Sequence, residues 1–189
     1  QYTYKAKKEK VSELFKTVRA DGRKTLLGNE TYVIADAYGI PCPKTALAKS
    51  EEEAIKAAKT VEYPVVMKVA SPEIIHKSDI GGVKLNVTSE EDVKKNFTEI
   101  MNNAKRHLGD QHDSLYGVEV QHMGEKGREF ILGMMNDPNF GPMIMFGLGG
   151  IYVNLFGDVS FRLVEGLSRE HISEMIRETK AYTLLKGYR

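Results

Sequence analysis

The stretch VVMKVASPEIIHKSDIGGVKLNV, Val65 to Val87, decides how the rest of the chain is read. Its apolar opening, Val65 to Val69, carries one lysine, Lys68, where the run meets a polar loop. His76 lies in that loop, Gly81-Gly82 closes it, and the alternating run Val83 to Val87 follows. Short β-branched runs bounded by Pro, Ser, Asp and Gly predict strand, loop, strand.

Working outward, the same grammar repeats. Ser50-Glu51-Glu52-Glu53 is a capping box that opens a helix to about Thr60. Thr45 to Ala48 is a candidate strand before it. Ser89-Glu90-Glu91-Asp92 opens a longer helix to about His107, and Tyr116 to Gln121 supplies a further strand. This order predicts a split β-α-β layer of about four strands covered by two helices. Nearer the N-terminus, Val11 to Val18 has helical apolar spacing, and Asn29 is placed to cap a second helix that stops at Gly39-Ile40-Pro41.

The second half has another texture. YGVEVQHM, REFILGMM, GPMIMFGL, IYVNLF and VSFRLV follow one another with glycine breaks, which predicts a mainly antiparallel sheet. Ser168 caps a helix from Arg169 to Thr179, and Ala181 to Lys186 adds a short one. The fold class is therefore α+β in two lobes, with the junction at His107 to Ser114. The expected divisions are an N-terminal helix and linker, 1–28, packing on the second lobe, a first subdomain, 29–113, and a second, 114–189.

Composition narrows the function classes. Of 189 residues, 27 are Lys or Arg and 26 Asp or Glu, a net charge of +1 that gives no nucleic-acid footprint. The basic cluster YKAKKEK reads as a solvated helix end or linker. The single cysteine, Cys42, cannot form an internal disulfide, and with no signal peptide it points to a reducing, cytoplasmic setting. FGPMIMFGLGGIYVNLFG, Phe140 to Gly157, is too interrupted by proline and glycine for a membrane span of ~20 residues.

The residues allow a phosphate chemistry without fixing it. An ammonium at Lys68, at the end of an apolar strand, suits a phosphate, or it simply snorkels to water. A loop histidine such as His76 is a nucleophile toward phosphorus when neutral, or merely a solvated side chain. Gly81 and Gly82 let backbone amides approach a ligand. Arg128 and Glu129, embedded among apolar residues, need partners, either a ligand or each other; Arg162 poses the same choice. No GxxxxGK[ST], HExxH or GxSxG occurs. Gly147-Leu148-Gly149-Gly150 begins like a dinucleotide fingerprint, but Tyr152 stands at its last glycine. His107, His112 and His171 lack metal-ligand spacing.

Three blocks together resemble a known family. AYGIPCPKTALAKSEEEAIKAA, the Val65–Val87 stretch and NDPNFGPMIMFGLGGIYVN are similar, in this order, to the ATP-grasp module of ADP-forming (NDP-forming) acyl-CoA synthetases, relatives of succinyl-CoA synthetase. The similarity runs from about Gly28 to Gly187. It implies a two-lobed ATP-grasp fold that grips a nucleotide, and the reversible reaction acid + ATP + CoA ⇌ acyl-CoA + ADP + phosphate through a phosphohistidine. On that resemblance His76 is the phosphoryl acceptor, Lys68 contacts nucleotide phosphates, and Gly81 and Gly82 are phosphate-side glycines. The segment Val120, Gln121 to Met123, with Glu119 before it, reads adenine. Glu129 and Gly149 line the nucleotide site.

The implied cofactors are ATP/ADP and Mg²⁺. The implied partner is a CoA-binding, ligase domain or an α subunit, where CoA and a small carboxylic acid bind. Neither nucleic acid nor membrane is expected. The family's metal-holding segment has no counterpart before Arg189, so no metal ligands are assigned and the second lobe is expected to be incomplete. The other reading is a regulatory, ligand-binding ATP-grasp-like domain of a protein acyltransferase.

Overall fold

The structure is a computed structural model and describes residues 6–110, 112–150 and 157–187. Contacts divide the chain into two compact units, Gln1–Gly124 and Glu125–Arg189.

In the first unit, helices α1 (Lys8–Ala20) and α2 (Gly28–Ala37) precede β1 (Thr45–Ala48), α3 (Glu51–Val61), β2 (Val65–Ala70), β3 (Val83–Val87), α4 (Glu90–Leu108) and β4 (Gly117–His122). The sheet order is β1-β4-β2-β3, with every neighbouring pair antiparallel. Strands β1 and β2 therefore run the same way, joined by α3 and separated by β4, which is the split arrangement expected. The two helices that cover this sheet, α3 and α4, start where serine stops them fraying. The Ser50 hydroxyl accepts from the Glu53 amide at 3.2 Å and the Ser89 hydroxyl from the Asp92 amide at 3.1 Å.

One face of this sheet is the core. Ala54, Ala57, Ala58 and Val61 of α3, with Val93, Phe97, Ile100 and Ala104 of α4, close over Val65, Met67, Val69, Val118 and Val120. Fully burying each large apolar side chain contributes about 1.5–3 kcal/mol, so this layer fixes the strand register. Since strand side chains alternate, Lys68, Glu119 and Gln121 must stand on the other face.

Three expectations change. The boundary at 113/114 would cut off β4, yet β4 is an inner strand of the first sheet, bonded to β1 and β2, so the division falls after it. The N-terminal helix, expected against the second lobe, packs on α2 within the first unit. Asn29 is not the cap of α2; it lies inside the first turn, and the Glu30 carboxylate takes the Leu27 amide at 2.7 Å instead.

The second unit holds β5 (Phe130–Asp137), β6 (Gly141–Leu148) and β7 (Val159–Leu163) in that order, all antiparallel, followed by α5 (Arg169–Arg177) and α6 (Ala181–Leu185). Phe130 and Phe146 stack across β5 and β6 with centroids 5.9 Å apart. Glu178, just after α5, binds the Ser160 hydroxyl at 2.7 Å and the Arg162 guanidinium at 2.5 Å. Arg162 is thus an ordinary structural cation. The strand expected at 151–156 lies outside the described residues. Among the described residues no helix is long and apolar enough to cross a membrane.

Candidate functional site

The polar face of the first sheet gathers residues from four elements. Lys68, on β2, donates to the Gln121 side-chain oxygen on β4 at 2.8 Å. Its directly opposed residue on β4 is Glu119, which is only 3% exposed. A buried carboxylate needs compensation, and two neighbours supply it. The Thr45 hydroxyl donates to Glu119 at 3.2 Å. The first turn of α2 abuts the carboxylate so closely that a Cβ on Gly28 would lie 2.2 Å from Glu119 Oε2, and a helix N-terminus favours negative charge.

Tyr32 lies one turn further along α2 and borders the same cluster. Burial pushes the Tyr32 phenol up, the Glu119 and Cys42 charges add to it, and Gln121 opposes them. An open hollow of about 620 Å³ borders this cluster, lined by Asn29, Tyr32, Pro41, Cys42, Lys44 and Thr45, a size within the range of small-molecule sites. Gly28, Tyr32 and Thr45 carried no signal in the sequence. Their place in the cluster follows from α2 crossing the sheet.

The His76 loop grows from the end of the same β2 strand. The Val69 amide donates to Gly82 O at 2.8 Å, closing the loop where β2 and β3 begin to pair. Ile74 is 2% exposed and anchors one side in the core. Lys77 anchors the other: its carbonyl accepts from the Gly82 amide at 2.8 Å, and its ammonium donates to Ile74 O at 3.3 Å. His76 projects between these anchors and is exposed. Among the described residues no hydrogen bond joins it to Lys68, which donates to Gln121.

The glycine pair has a different use from the one expected. The Gly81 amide donates to Ser78 O at 3.1 Å and the Gly82 amide to Lys77 O, so neither is free for a phosphate. Gly81 has a positive φ of 67°, and a Cβ on Gly82 would meet Lys77 O and Val69 Cγ1, each at 2.8 Å. Both glycines are required by the loop's shape.

The adenine-reading segment also needs correction. Val120 is fully buried under the helices, and it lies in a strand laddered on both edges. It has nothing to offer a ligand. The Met123 amide donates to Pro64 O at 2.9 Å, and the His122 amide to Lys44 O at 2.9 Å. The His122 ring nitrogen Nδ1 is 2.8 Å from Glu62 O, and Glu62 pairs with Lys44 at 2.9 Å. The end of β4 is therefore pinned, and of this segment Gln121 is the side chain that reaches the polar cluster.

Glu129 and Gly149 meet in the second unit. The Gly149 amide donates to Glu129 O at 2.9 Å, and any Cβ on Gly149 would strike the Glu129 and Phe130 backbone at 2.8–2.9 Å. Arg128 donates to the Leu184 carbonyl. Among the described residues no group of three His, Cys, Asp or Glu side chains can hold a metal ion.

The chain as a whole matches known proteins. Residues 17–189 match the ATP-grasp domain family. The chain is 47% identical over 180 residues to the β subunit of acetate–CoA ligase (ADP-forming) I of Pyrococcus furiosus, covering 95% of this chain and 76% of that one. The chain belongs to the ATP-grasp family of the ADP-forming acid–CoA ligases.

This ATP-grasp domain is also 45% identical to the 4-hydroxybutyrate–CoA ligase (ADP-forming) of Nitrosopumilus maritimus, over 98% of this chain and 26% of that one. It thus spans three-quarters of a separate β subunit and about a quarter of a single-chain ligase. In fold it matches the acetyl-coenzyme A synthetase 1 of Ca. Korarchaeum cryptofilum holding coenzyme A and Mg-AMPPCP, with a TM-score of 0.77, 42% identity, and 94% and 74% of the two chains covered. In that structure the phosphohistidine segment points towards the nucleotide binding site. In another of the same enzyme, with coenzyme A and acetyl-coenzyme A (TM-score 0.81, 44% identity, 94% and 75% covered), the segment is phosphorylated and in a site I orientation.

Proposed function

We propose that this ATP-grasp domain binds ATP and relays its terminal phosphoryl group through His76 in an acid–CoA ligase that forms ADP. The observation that carries the reading is the projection of an exposed histidine from a loop rooted at the Lys68 strand end. The nucleotide contacts are Lys68 and Gln121 on the polar face, with Glu119 buried beneath. Lys68 places a positive charge against the phosphates, and Gln121 fixes its direction while offering an amide to the base or sugar. Gly81 and Gly82 shape the loop. Glu129 and Gly149 remain nucleotide-side residues on the second unit by family position.

A ring nitrogen of His76 forms the bond to the γ-phosphorus as the bond from that phosphorus to the ADP oxygen breaks. The phosphoryl group then passes to a histidine of the CoA-binding domain, freeing His76, and from that histidine to a carboxylate oxygen of the acid. The CoA thiol attacks the acyl carbon and phosphate leaves, carrying the thiol proton. Magnesium neutralises phosphate charge when it is bound with the nucleotide; one or two carboxylates with phosphate oxygens are enough to hold it. The domain's own contribution is position, which can supply several kcal/mol of barrier reduction.

The acid and CoA bind on a partner domain or α subunit of the same enzyme, in the cytoplasm, as the reducing chemistry of a lone Cys42 suits. The test is ADP–ATP exchange by the assembled synthetase, without acid or CoA. Exchange should persist in the unaltered protein and vanish in His76→Ala. Exchange surviving in that variant contradicts the relay.

A further inference from the structure

The chain from His76 to Gly81 moves as one piece. The Asp79 amide donates to His76 O at 3.2 Å and the Gly81 amide to Ser78 O at 3.1 Å, so two linked turns carry any shift of Gly81 back to the histidine. On the β2 side this piece is moored by Ile74 in the core and by the Gly82 amide on Lys77 O. Its far end meets α4. Asn103 donates from Nδ2 to Gly81 O at 3.3 Å, and a Cβ on Gly81 would lie 2.8 Å from the same nitrogen. Among the described residues this is the one side-chain hydrogen bond that reaches residues 74–82 from outside the loop.

Asn103 is itself held. Its Oδ1 accepts from the Arg106 guanidinium at 2.5 Å, which leaves the amide nitrogen, the donor end, for Gly81. Ile100 and Ala104, beside it on α4, are fully buried, so the helix that presents it is fixed to the core. Ile80 also packs against the core, but apolar contact is non-directional. The hydrogen bond gives the loop its orientation. We infer that Asn103 is a positioning residue for the relay, acting through Gly81 to hold the His76 ring where the γ-phosphorus of bound ATP meets it. This rests on the relay reading. Group transfer is steep in geometry, a misplacement of about 1 Å costing on the order of a hundredfold. One tie at the loop's far end therefore governs rate without touching affinity.

Two phosphoryl donors separate this role from others. In the assembled synthetase, His76 is labelled in a single turnover with γ-labelled ATP, or with labelled phosphoramidate. The latter reaches an exposed imidazole from solution, its P–N bond breaking and ammonia leaving, and needs no bound nucleotide. Asn103→Asp keeps the shape and the Arg106 contact but offers Gly81 O no donor, and it should slow labelling from ATP about ten- to hundredfold. Its labelling by phosphoramidate and its ATP affinity by calorimetry should stay within about twofold. Asn103→Ala should behave alike. Equal slowing with both donors, or weakened ATP binding, would make Asn103 a structural residue, and unchanged labelling from ATP would make it idle; each result overturns the inference. A failure of the relay reading shows differently, as ATP-derived label that survives His76→Ala.

Discussion

The Lys68 ammonium lies 2.8 Å from the Gln121 side-chain oxygen, although the residue directly across the strand from Lys68 is Glu119. The lysine is tied to a neutral amide, not neutralised by the buried carboxylate, so its charge remains available to an anion. A charge-assisted hydrogen bond is worth roughly 1.5–3 kcal/mol. Lys68→Met should therefore weaken ATP binding about ten- to hundredfold by calorimetry. Gln121→Ala should weaken it less, by about tenfold at most, because the ammonium survives without its guide. Equal affinity in Lys68→Met and the unaltered protein would remove Lys68 from the phosphate site.

Gly28 and Glu119 make a second close pair, because α2 begins directly on the buried carboxylate. With 2.2 Å between a built Cβ and Glu119 Oε2, Gly28→Ala must displace either the helix start or the carboxylate. Overpacking of this kind costs about 1–3 kcal/mol, so the variant's urea midpoint should fall. Gly28→Ala combined with Glu119→Gln should lose as much, since the clash is steric. Recovery of stability in the double variant would point to charge instead.

Arg23 and Glu30 give the fold a pH dependence. Their side chains are 8% and 13% exposed and meet at 2.6 Å, with the guanidinium also 5.1 Å from the centre of the Tyr116 ring. Burial pushes the Glu30 carboxyl up, but the Arg23 hydrogen bond, the Leu27 amide and the Arg23 charge outweigh it and hold it below the ordinary value. A depressed carboxyl stabilises the fold above its unfolded value of 4.5, and that share is lost as pH falls through the folded one. Arg23→Met, which strands Glu30, should cost roughly 3 kcal/mol at pH 7. The gap between variant and unaltered protein should narrow in acid denaturation below pH 4.5. A gap that does not change with pH would contradict the pairing.

Much of this fold stood in local chemistry. Ser50 and Ser89 announced α3 and α4, and the strands on either side of the His76 loop fall within a residue of their expected ends, because caps and alternation are short-range signals. The placement of β4 did not stand there. YGVEVQHM reads equally well as the last strand of one sheet or the first of the next, and only pairing with Thr45 to Ala48, some seventy residues away, decides it. For the site, Lys68 and His76 were visible as polar residues in an apolar context. The use of the Gly81 and Gly82 amides inside the loop was not, since a glycine pair looks the same whether it serves a ligand or a turn. Tyr32 and Gly28 were invisible because their role depends on where α2 crosses the sheet.

One measurement bears on the whole account. The assembled synthetase, incubated with γ-labelled ATP and then denatured, should carry a phosphate that acid removes and base does not, as a phosphoramidate does. It should map to His76 and disappear in His76→Ala. A phosphate that is stable to acid, or one that His76→Ala still carries in full, would contradict the relay.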